Sequence, residues 1–299
     1  MYHGIVIVHK EKGFTSHDVV AKMRGICGQK KIGHTGTLDP EATGVLPVCL
    51  GNGTRLCDML TERDKEYVAL LRLGVETDTQ DMTGTVLTSR PVEVGAPQVR
   101  EAVWSFQGSY MQTPPMYSAL KVNGKKLYEL AREGKVVERQ AREVRIGEIE
   151  ILAMTLPLVR LRVVCSKGTY IRTLCADIGQ KLGCGGAMES LVRTRVGNFS
   201  MEEALTLTQL QDLKDQGRLS QAILPVESVF QNCPVLHVRE DLVRLLENGN
   251  ALTVEQTAEK ERYTQGRWVR VCFPDNRFAG IYAYDEGKGR YQPVKMFLE

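Results

Sequence analysis

No stretch of this chain is apolar for long enough to cross a bilayer. The longest runs, such as Gly4–Val8, fall far short of the roughly 20 residues a membrane helix needs. The first residues, Met-Tyr-His-Gly, lack the basic-then-apolar pattern of a secretory signal, so a cytoplasmic location is expected. Eight cysteines are present, but no two stand at C-x-x-C spacing, and the five histidines form no H-x-x-x-H pair. Free buried thiols are therefore expected, rather than a zinc site or a disulfide framework. There is no G-x-x-x-x-G-K-[ST] and no G-x-S-x-G, which argues against a P-loop nucleotide site and a hydrolase nucleophile elbow. Gly51-Asn-Gly-Thr and Gly183-Cys-Gly-Gly miss the dinucleotide spacing and read as turns. Repeats and low-complexity tracts are missing too.

What is present is an ordinary globular composition, 42% hydrophobic and 25% charged, over 299 residues, a length that suits two domains. Net charge is only +3, but basic residues are unevenly spread. From Arg160 to Arg195, seven Lys/Arg face Asp177 and Glu189; from Lys121 to Arg145, eight face four Glu; the first 35 residues carry six against Glu11 and Asp18. Three local surpluses suit a polyanion, although ordinary solvated faces would look the same.

Gly4–His9 reads as a short strand, followed by a helix capped by Thr15 or Ser16, running through Val19, Val20 and Met23 and ending at Gly28. Lys30 to Val45 is punctuated by Gly33, Gly36, Pro40 and Gly44 and is expected to be a loop. Lys65–Gly74 and Leu158–Val164 alternate like half-buried strands, Asn123-Gly124 signals a hairpin, and a helix is expected over about Thr169–Leu182. Strands and helices interleave without a regular βαβ count, so the expected class is α+β with a mixed, largely antiparallel sheet and flanking helices. Residues 1–225 are expected to form this domain. Residues 226–299, with a short helical piece at Glu240–Asn248 and strands near Trp268, Phe278 and Tyr291, are expected to form a small β-barrel-like domain.

Three segments could carry chemistry. Lys31–Pro47 places Asp39 before a proline on a glycine-rich loop, beside basic stretches. That suits a reactive carboxylate, and equally an Asp-Pro turn that bonds its own backbone. Ser166–Leu174 leaves a strand and enters a helix. Tyr170 and Arg172 share a face only if the chain there is still extended. An Arg beside Asp39 would hold the carboxylate as an oriented anion, while a phosphate-positioning Arg and a core Tyr fit as well. In Lys65-Glu-Tyr67, the tyrosine could offer a flat face to an unstacked base or simply pack.

Taken in order, these segments resemble the TruB family of tRNA pseudouridine-55 synthases. The likeness runs over the first roughly 225 residues: Lys10-Glu-Lys-Gly-Phe-Thr-Ser16, Gly33-His-Thr-Gly-Thr-Leu-Asp-Pro-Glu-Ala-Thr-Gly-Val-Leu46, Gly51-Asn-Gly-Thr-Arg55, Lys65-Glu-Tyr67, Pro114–Gly124, Gly168–Leu174 and Leu191-Val-Arg-Thr194. The tail is similar, more weakly, to a PUA-type domain. Two positions depart from the family pattern: Glu11 stands where Pro is usual, and Gly53-Thr-Arg55 where Ala-Thr-Lys is usual.

The resemblance implies an enzyme that isomerises the T-loop uridine of tRNA with no cofactor and no metal. Asp39 would be the nucleophile, and Tyr67, Tyr170 and Arg172 its catalytic companions. Attack on the ribose and attack on the ring are equally open. Tyr67 would stack on the flipped base, Tyr170 floor the pocket, and His34 stand at its mouth. Leu191 would pack against the pocket and Lys10 near the loop. Thr37 and Lys121 would contact substrate, with the 121–145 insert closing on the tRNA elbow. The implied protein is a monomer with no obligatory protein partner. Three other readings compete: the catalytic subunit of a guide-RNA particle, a tRNA-folding module without catalysis, and a hydrolase using an Asp39–Glu41 pair.

Overall fold

Residues 1–122 and 124–298 are described by the computed structural model. The chain opens with β1 (Gly4–Lys10), α1 (Ser16–Cys27), β2 (Ile32–His34) and β3 (Thr43–Leu50). Helix α1 starts and stops where its end residues dictate. Thr15 Oγ1 accepts from the Asp18 amide at 3.0 Å, Asp18 accepts from the Thr15 amide at 2.8 Å, and Gly28 closes the helix at φ 64°. The Lys30–Val45 segment is not a loop throughout. Ile32, Gly33 and His34 pair with Leu50, Cys49 and Val48, so the connection narrows to residues 35–42. Three residues, one of them glycine, give too little pattern to reveal a strand that its partner imposes.

A 3-10 turn (Gly51–Leu56) and α2 (Cys57–Thr61) lead to β4 (Lys65–Leu73), whose residues alternate buried and half-buried as their pattern requires. A ribbon of β5 (Val75–Thr77) and β6 (Val86–Ser89) follows, then α3 (Ala96–Trp104) and β7 (Gly108–Gln112). A second ribbon pairs β8 (Lys121–Val122) with β9 (Lys125–Lys126). Asn123, half of the expected turn, lies outside the described residues. After α4 (Leu127–Arg132) come the long β10 (Arg142–Thr155) and β11 (Leu158–Cys165). Arg142 and Arg145, counted above with the basic stretch, are strand residues of β10. Helix α5 (Ile171–Lys181), β12 (Gly186–Val196), β13 (Phe199–Ser200) and α6 (Leu207–Asp215) complete this part.

The main sheet runs β1-β3-β12-β4-β11-β10-β7, with β2 beside β3 and β13 beside β12. Its pairs are antiparallel except β12 with β3. Strands β1 and β3 are buried on both faces. Val6, Val8, Leu46, Val48 and Leu50 pack towards α1 and α6, while Ile5, Ile7, Val45 and Cys49 pack the other way, against Phe230, Ile281 and Phe297. This double burial is why both strands read as unbroken apolar runs. The second face belongs to a four-stranded sheet of β14 (Val235–His237), β15 (Trp268–Cys272), β16 (Phe278–Asp285) and β17 (Arg290–Met296), with α7 (Val243–Glu247) between its first two strands. The three-residue β14, parallel to β15, had no sequence signal. Arg55 in the 3-10 turn donates to Met296 C=O at 2.8 Å, so its motif serves the junction between the sheets.

Candidate active site

The 35–42 connection is held from beneath rather than left to wander. Leu38 and Ala42 flank Asp39 and are buried in the same apolar cluster as Tyr67, Leu191 and Ile171. The Leu38 amide donates to Ser16 Oγ at 2.9 Å. Gly13 N–H reaches Pro40 C=O at 2.9 Å, and Ala42 N–H reaches Asp39 C=O at 3.1 Å. Lys10, fully buried, points its ammonium at three carbonyls: Glu11 at 3.1 Å, Pro40 at 3.1 Å and Ala42 at 2.6 Å. Burial lowers the Lys10 pKa to about 8, against the opposing pull of Asp39 and Glu41. Gly44 leaves the loop at φ 112°, and a Cβ there would stand 2.2 Å from Arg193 C=O, so no other residue fits.

Asp39 itself is reachable, with 39% of its side chain exposed, while its partner Arg172 is 5% exposed. Arg172 Nε lies 2.9 Å from Asp39 Oδ2, and Nη2 donates to Oδ1 at 3.2 Å. The guanidinium is fixed independently by Thr79 C=O at 3.0 Å and Tyr117 C=O at 2.8 Å, with Asp81 Oδ2 3.8 Å from Nε. Asp81 in turn accepts from the Thr79 and Thr83 hydroxyls at 2.7 and 2.6 Å. Tyr170 is the extended N-cap of α5 (φ −99°, ψ 108°) and Arg172 is in its first turn. The two therefore differ in conformation, which neither an all-helix nor an all-strand reading of this stretch allows.

Across β4 and β12, Tyr67 stands opposite Arg193, and Leu191 opposite Ala69. Arg193, 1% exposed, donates through Nε to Val45 C=O at 2.7 Å and through Nη2 to Gly36 C=O at 3.3 Å, and its charge acts on the Tyr67 phenol. Burial pushes the Tyr67 and Tyr170 phenols up, so both stay protonated at neutral pH. His34 is half-buried, edge-on to His17 at 5.3 Å between centroids, and its pKa is lowered by burial, with His17 and Arg193 adding to the effect. It is neutral at pH 7.

Of the nine side chains expected at the site, Asp39 and Arg172 meet directly, and Tyr67 and Leu191 pack beneath them. Lys10 supports the loop through the Pro40 and Ala42 carbonyls, His34 Nδ1 accepts from the Gly36 amide at 3.3 Å, and Tyr170 feels the charges of Arg172 and Asp39. Thr37 and Lys121 are exposed, and among the described residues neither hydrogen-bonds or ion-pairs with this group. Glu41 pairs with Lys12 at 2.9 Å. Sequence reasoning missed Asp81 and the structural role of Arg193. An arginine on a strand ordinarily marks a solvent face, and the loop bearing Thr79 and Asp81 carries no spacing that announces a carboxylate site. The arrangement is chemically apt for an accessible carboxylate nucleophile set against a fixed cation.

Comparison with known proteins adds a lineage to this geometry. Residues 24–171 match the TruB family pseudouridylate synthase N-terminal domain, and residues 172–231 the tRNA pseudouridylate synthase B C-terminal domain. A tRNA pseudouridine synthase B of Lachnoclostridium phytofermentans is 52% identical over 99% of this chain and 100% of its own. One from Clostridium kluyveri is 43% identical over 99% of each. Among solved structures, a Cbf5-Nop10-Gar1 complex is similar at TM-score 0.75 and 28% identity, covering 99% of this chain and 85% of the other. An H/ACA RNP bound to a substrate RNA containing 2'-deoxyuridine is similar at TM-score 0.75 and 26% identity, covering 99% and 86%.

Proposed function

The chain belongs to the TruB family of pseudouridylate synthases and isomerises uridine to pseudouridine in tRNA; on that premise we propose that Asp39 is its nucleophile and the T-loop uridine at position 55 its target. The observation that carries this reading is the two-point contact of Arg172 with an Asp39 that is still open to solvent. Such a contact orients the carboxylate while leaving an oxygen lone pair free to attack.

The isomerisation breaks the bond from the ribose C1′ to N1 and makes one from C1′ to C5. The proton lost from C5 is balanced by one gained at N1. Atoms and electrons are conserved, so the reaction calls for no redox cofactor. Asp39 holds the covalent intermediate while the ring turns. Chemistry on a base takes that base out of the stack, since the duplex neighbours cover its faces, at a cost of a few kcal/mol. Tyr67 and Leu191 receive the base, Tyr170 floors the pocket and is placed to move a proton, and neutral His34 occupies the space the base vacates. Thr37, at the exposed rim, meets the RNA backbone.

The stretch from Lys121 through Arg132, with the basic residues beyond it to Arg145, contacts the tRNA elbow. Residues 1–225 act as the catalytic domain and 226–299 as a PUA-like RNA-binding domain. The stand-alone form, a monomer without an obligatory protein partner, is favoured over the guide-particle subunit. Support comes from full-length likeness to tRNA enzymes at 52% identity, against 26–28% for the particle subunits. Among the described residues no helix is long and apolar enough to cross a membrane, which accords with a cytoplasmic enzyme.

The test is tritium release from a tRNA transcript labelled at uridine C5. Release by the wild type, lost with Asp39→Asn and lost when the T-loop uridine is replaced by cytidine, supports nucleophile and target together. Release that survives either change overturns the corresponding assignment.

A further inference from the structure

Gln112 has no place in the scheme above, yet it is 1% exposed and grips a pocket residue by its backbone. Its Oε1 accepts from the Tyr170 amide at 2.8 Å, and its Nε2 donates to Tyr170 C=O at 3.1 Å. The orientation of the amide is forced, because an N–H can only donate and a C=O only accept. Nε2 also donates to the Tyr110 hydroxyl, and burial holds that phenol in its protonated form.

Two hydrogen bonds to one residue's N–H and C=O are what a neighbouring strand would supply. Here they come from a side chain, at the point where the chain passes from strand to helix. Tyr170 has no side-chain cap of its own. The grip therefore keeps Tyr170 extended and aims its ring.

The position of Gln112 gives the grip a second consequence. Gln112 is the last residue of β7, and its partner across the ladder is Arg142, the first residue of β10. The segment 113–141 thus leaves and rejoins the sheet at the Gln112–Arg142 pair. The same segment supplies the Tyr117 carbonyl that accepts from Arg172. The root of the segment and the floor of the pocket are joined through one buried amide.

We propose that Gln112 is a positioning residue for the isomerisation: its side-chain amide holds Tyr170 by the backbone and ties that ring to the root of the 113–141 segment. This rests on Tyr170 being part of the pocket. An aromatic floor displaced by about 1 Å costs about 10²-fold in rate, so the effect falls on the chemical step and not on phosphate contacts.

The experiment is a double-mutant cycle read by single-turnover tritium release, with tRNA affinity and melting temperature measured alongside. Gln112→Leu is expected to slow the single-turnover rate about 10- to 100-fold with tRNA affinity within about twofold. Gln112→Met, which keeps the length of the side chain and removes both polar atoms, is expected to behave as Gln112→Leu does and serves if Gln112→Leu does not fold. In a Tyr170→Ala background, Gln112→Leu should add little further loss, because the group it positions is gone. Full multiplication of the two losses, or an affinity loss that accounts for the rate loss, overturns the proposal in favour of a general structural or binding role. So does a wild-type rate in both Gln112 variants while Tyr170→Ala is slow. A wild-type rate for Tyr170→Ala instead refutes the reading of Tyr170 as a pocket residue, and the proposal falls with it.

Discussion

Arg172 meets Asp39 through two adjacent guanidinium nitrogens, Nε and Nη2, at 2.9 and 3.2 Å, after its own place has been fixed by the carbonyls of Thr79 and Tyr117. The cation is built into the scaffold and the carboxylate docks against it. A lysine at this position keeps the charge but presents a single point in place of a fork. Arg172→Lys is therefore expected to lower the single-turnover rate by about 10²-fold or more while tRNA affinity changes little. Rates and filter-binding affinities measured on one preparation check both halves of that expectation.

Asp39→Asn keeps shape and removes the nucleophile. The rate should fall to background, with tRNA affinity within a few-fold of wild type, because affinity rests on phosphates and shape. A folded Asp39→Asn protein that no longer binds tRNA would contradict this.

Lys10 links pH to the loop. Its pKa is about 8 in the folded protein against 10.5 for the free side chain. Below pH 8 the buried charge is a burden on stability. Between pH 8 and 10.5 the unfolded chain binds more protons than the folded one, so this contribution becomes more favourable as pH rises. Activity should move the other way. An ammonium has a proton for each of the three carbonyls it faces and an amine has only two, so the single-turnover rate should decline above about pH 8. In Lys10→Met that alkaline limb should be missing and the rate low throughout, as a pH–rate profile of both proteins would show.

Burial raises Asp177, in α5, from 3.8 to about 6. Here the folded state binds more protons than the unfolded one between pH 4 and 6, so stability falls as pH rises through that window and the penalty is complete above it. Asp177→Asn is expected to stabilise the protein by about 1–2 kcal/mol at pH 8, after allowing for partial exposure, with the gain vanishing near pH 4. Denaturant titrations at the two pH values measure the difference.

Lys121 and Lys125 are exposed on the β8–β9 ribbon. If they contact phosphates, Lys121→Ala and Lys125→Ala should each weaken tRNA binding and reduce the slope of log affinity against log salt by about 1. An unchanged slope removes the ribbon from the RNA interface.

Much of this site could be read from the sequence, and what could not has physical causes. The alternation in Lys65–Gly74 revealed β4 because a strand with one buried side must alternate, and the structure puts Tyr67 on its buried side. The Thr15-Ser16 pair and Gly28 marked both ends of α1, since unpaired helix-end groups select such residues, and the structure resolves the cap to Thr15. The glycine-rich stretch flagged Asp39 but concealed β2, whose three residues are a strand only because β3 lies beside them. Arg193, Asp81 and Gln112 act on residues 157, 91 and 58 positions away. No local period records a contact of that range. At Tyr170–Arg172 the pattern was ambiguous because the backbone changes conformation between the two.

The apolar seam between the two sheets has a practical consequence for any attempt to dissect the protein. Phe230, Ile281 and Phe297 lie against Ile5, Val45 and Cys49, and β3 is the strand into which the Asp39 loop runs. A variant shortened at its C-terminal end would lay bare the back of that strand along with whatever RNA contacts were removed. Lost turnover in such a variant would report a loosened nucleophile as readily as a missing handhold on the tRNA. Separating the two calls for charge reversals on the outer surface of the smaller sheet, with the seam left whole.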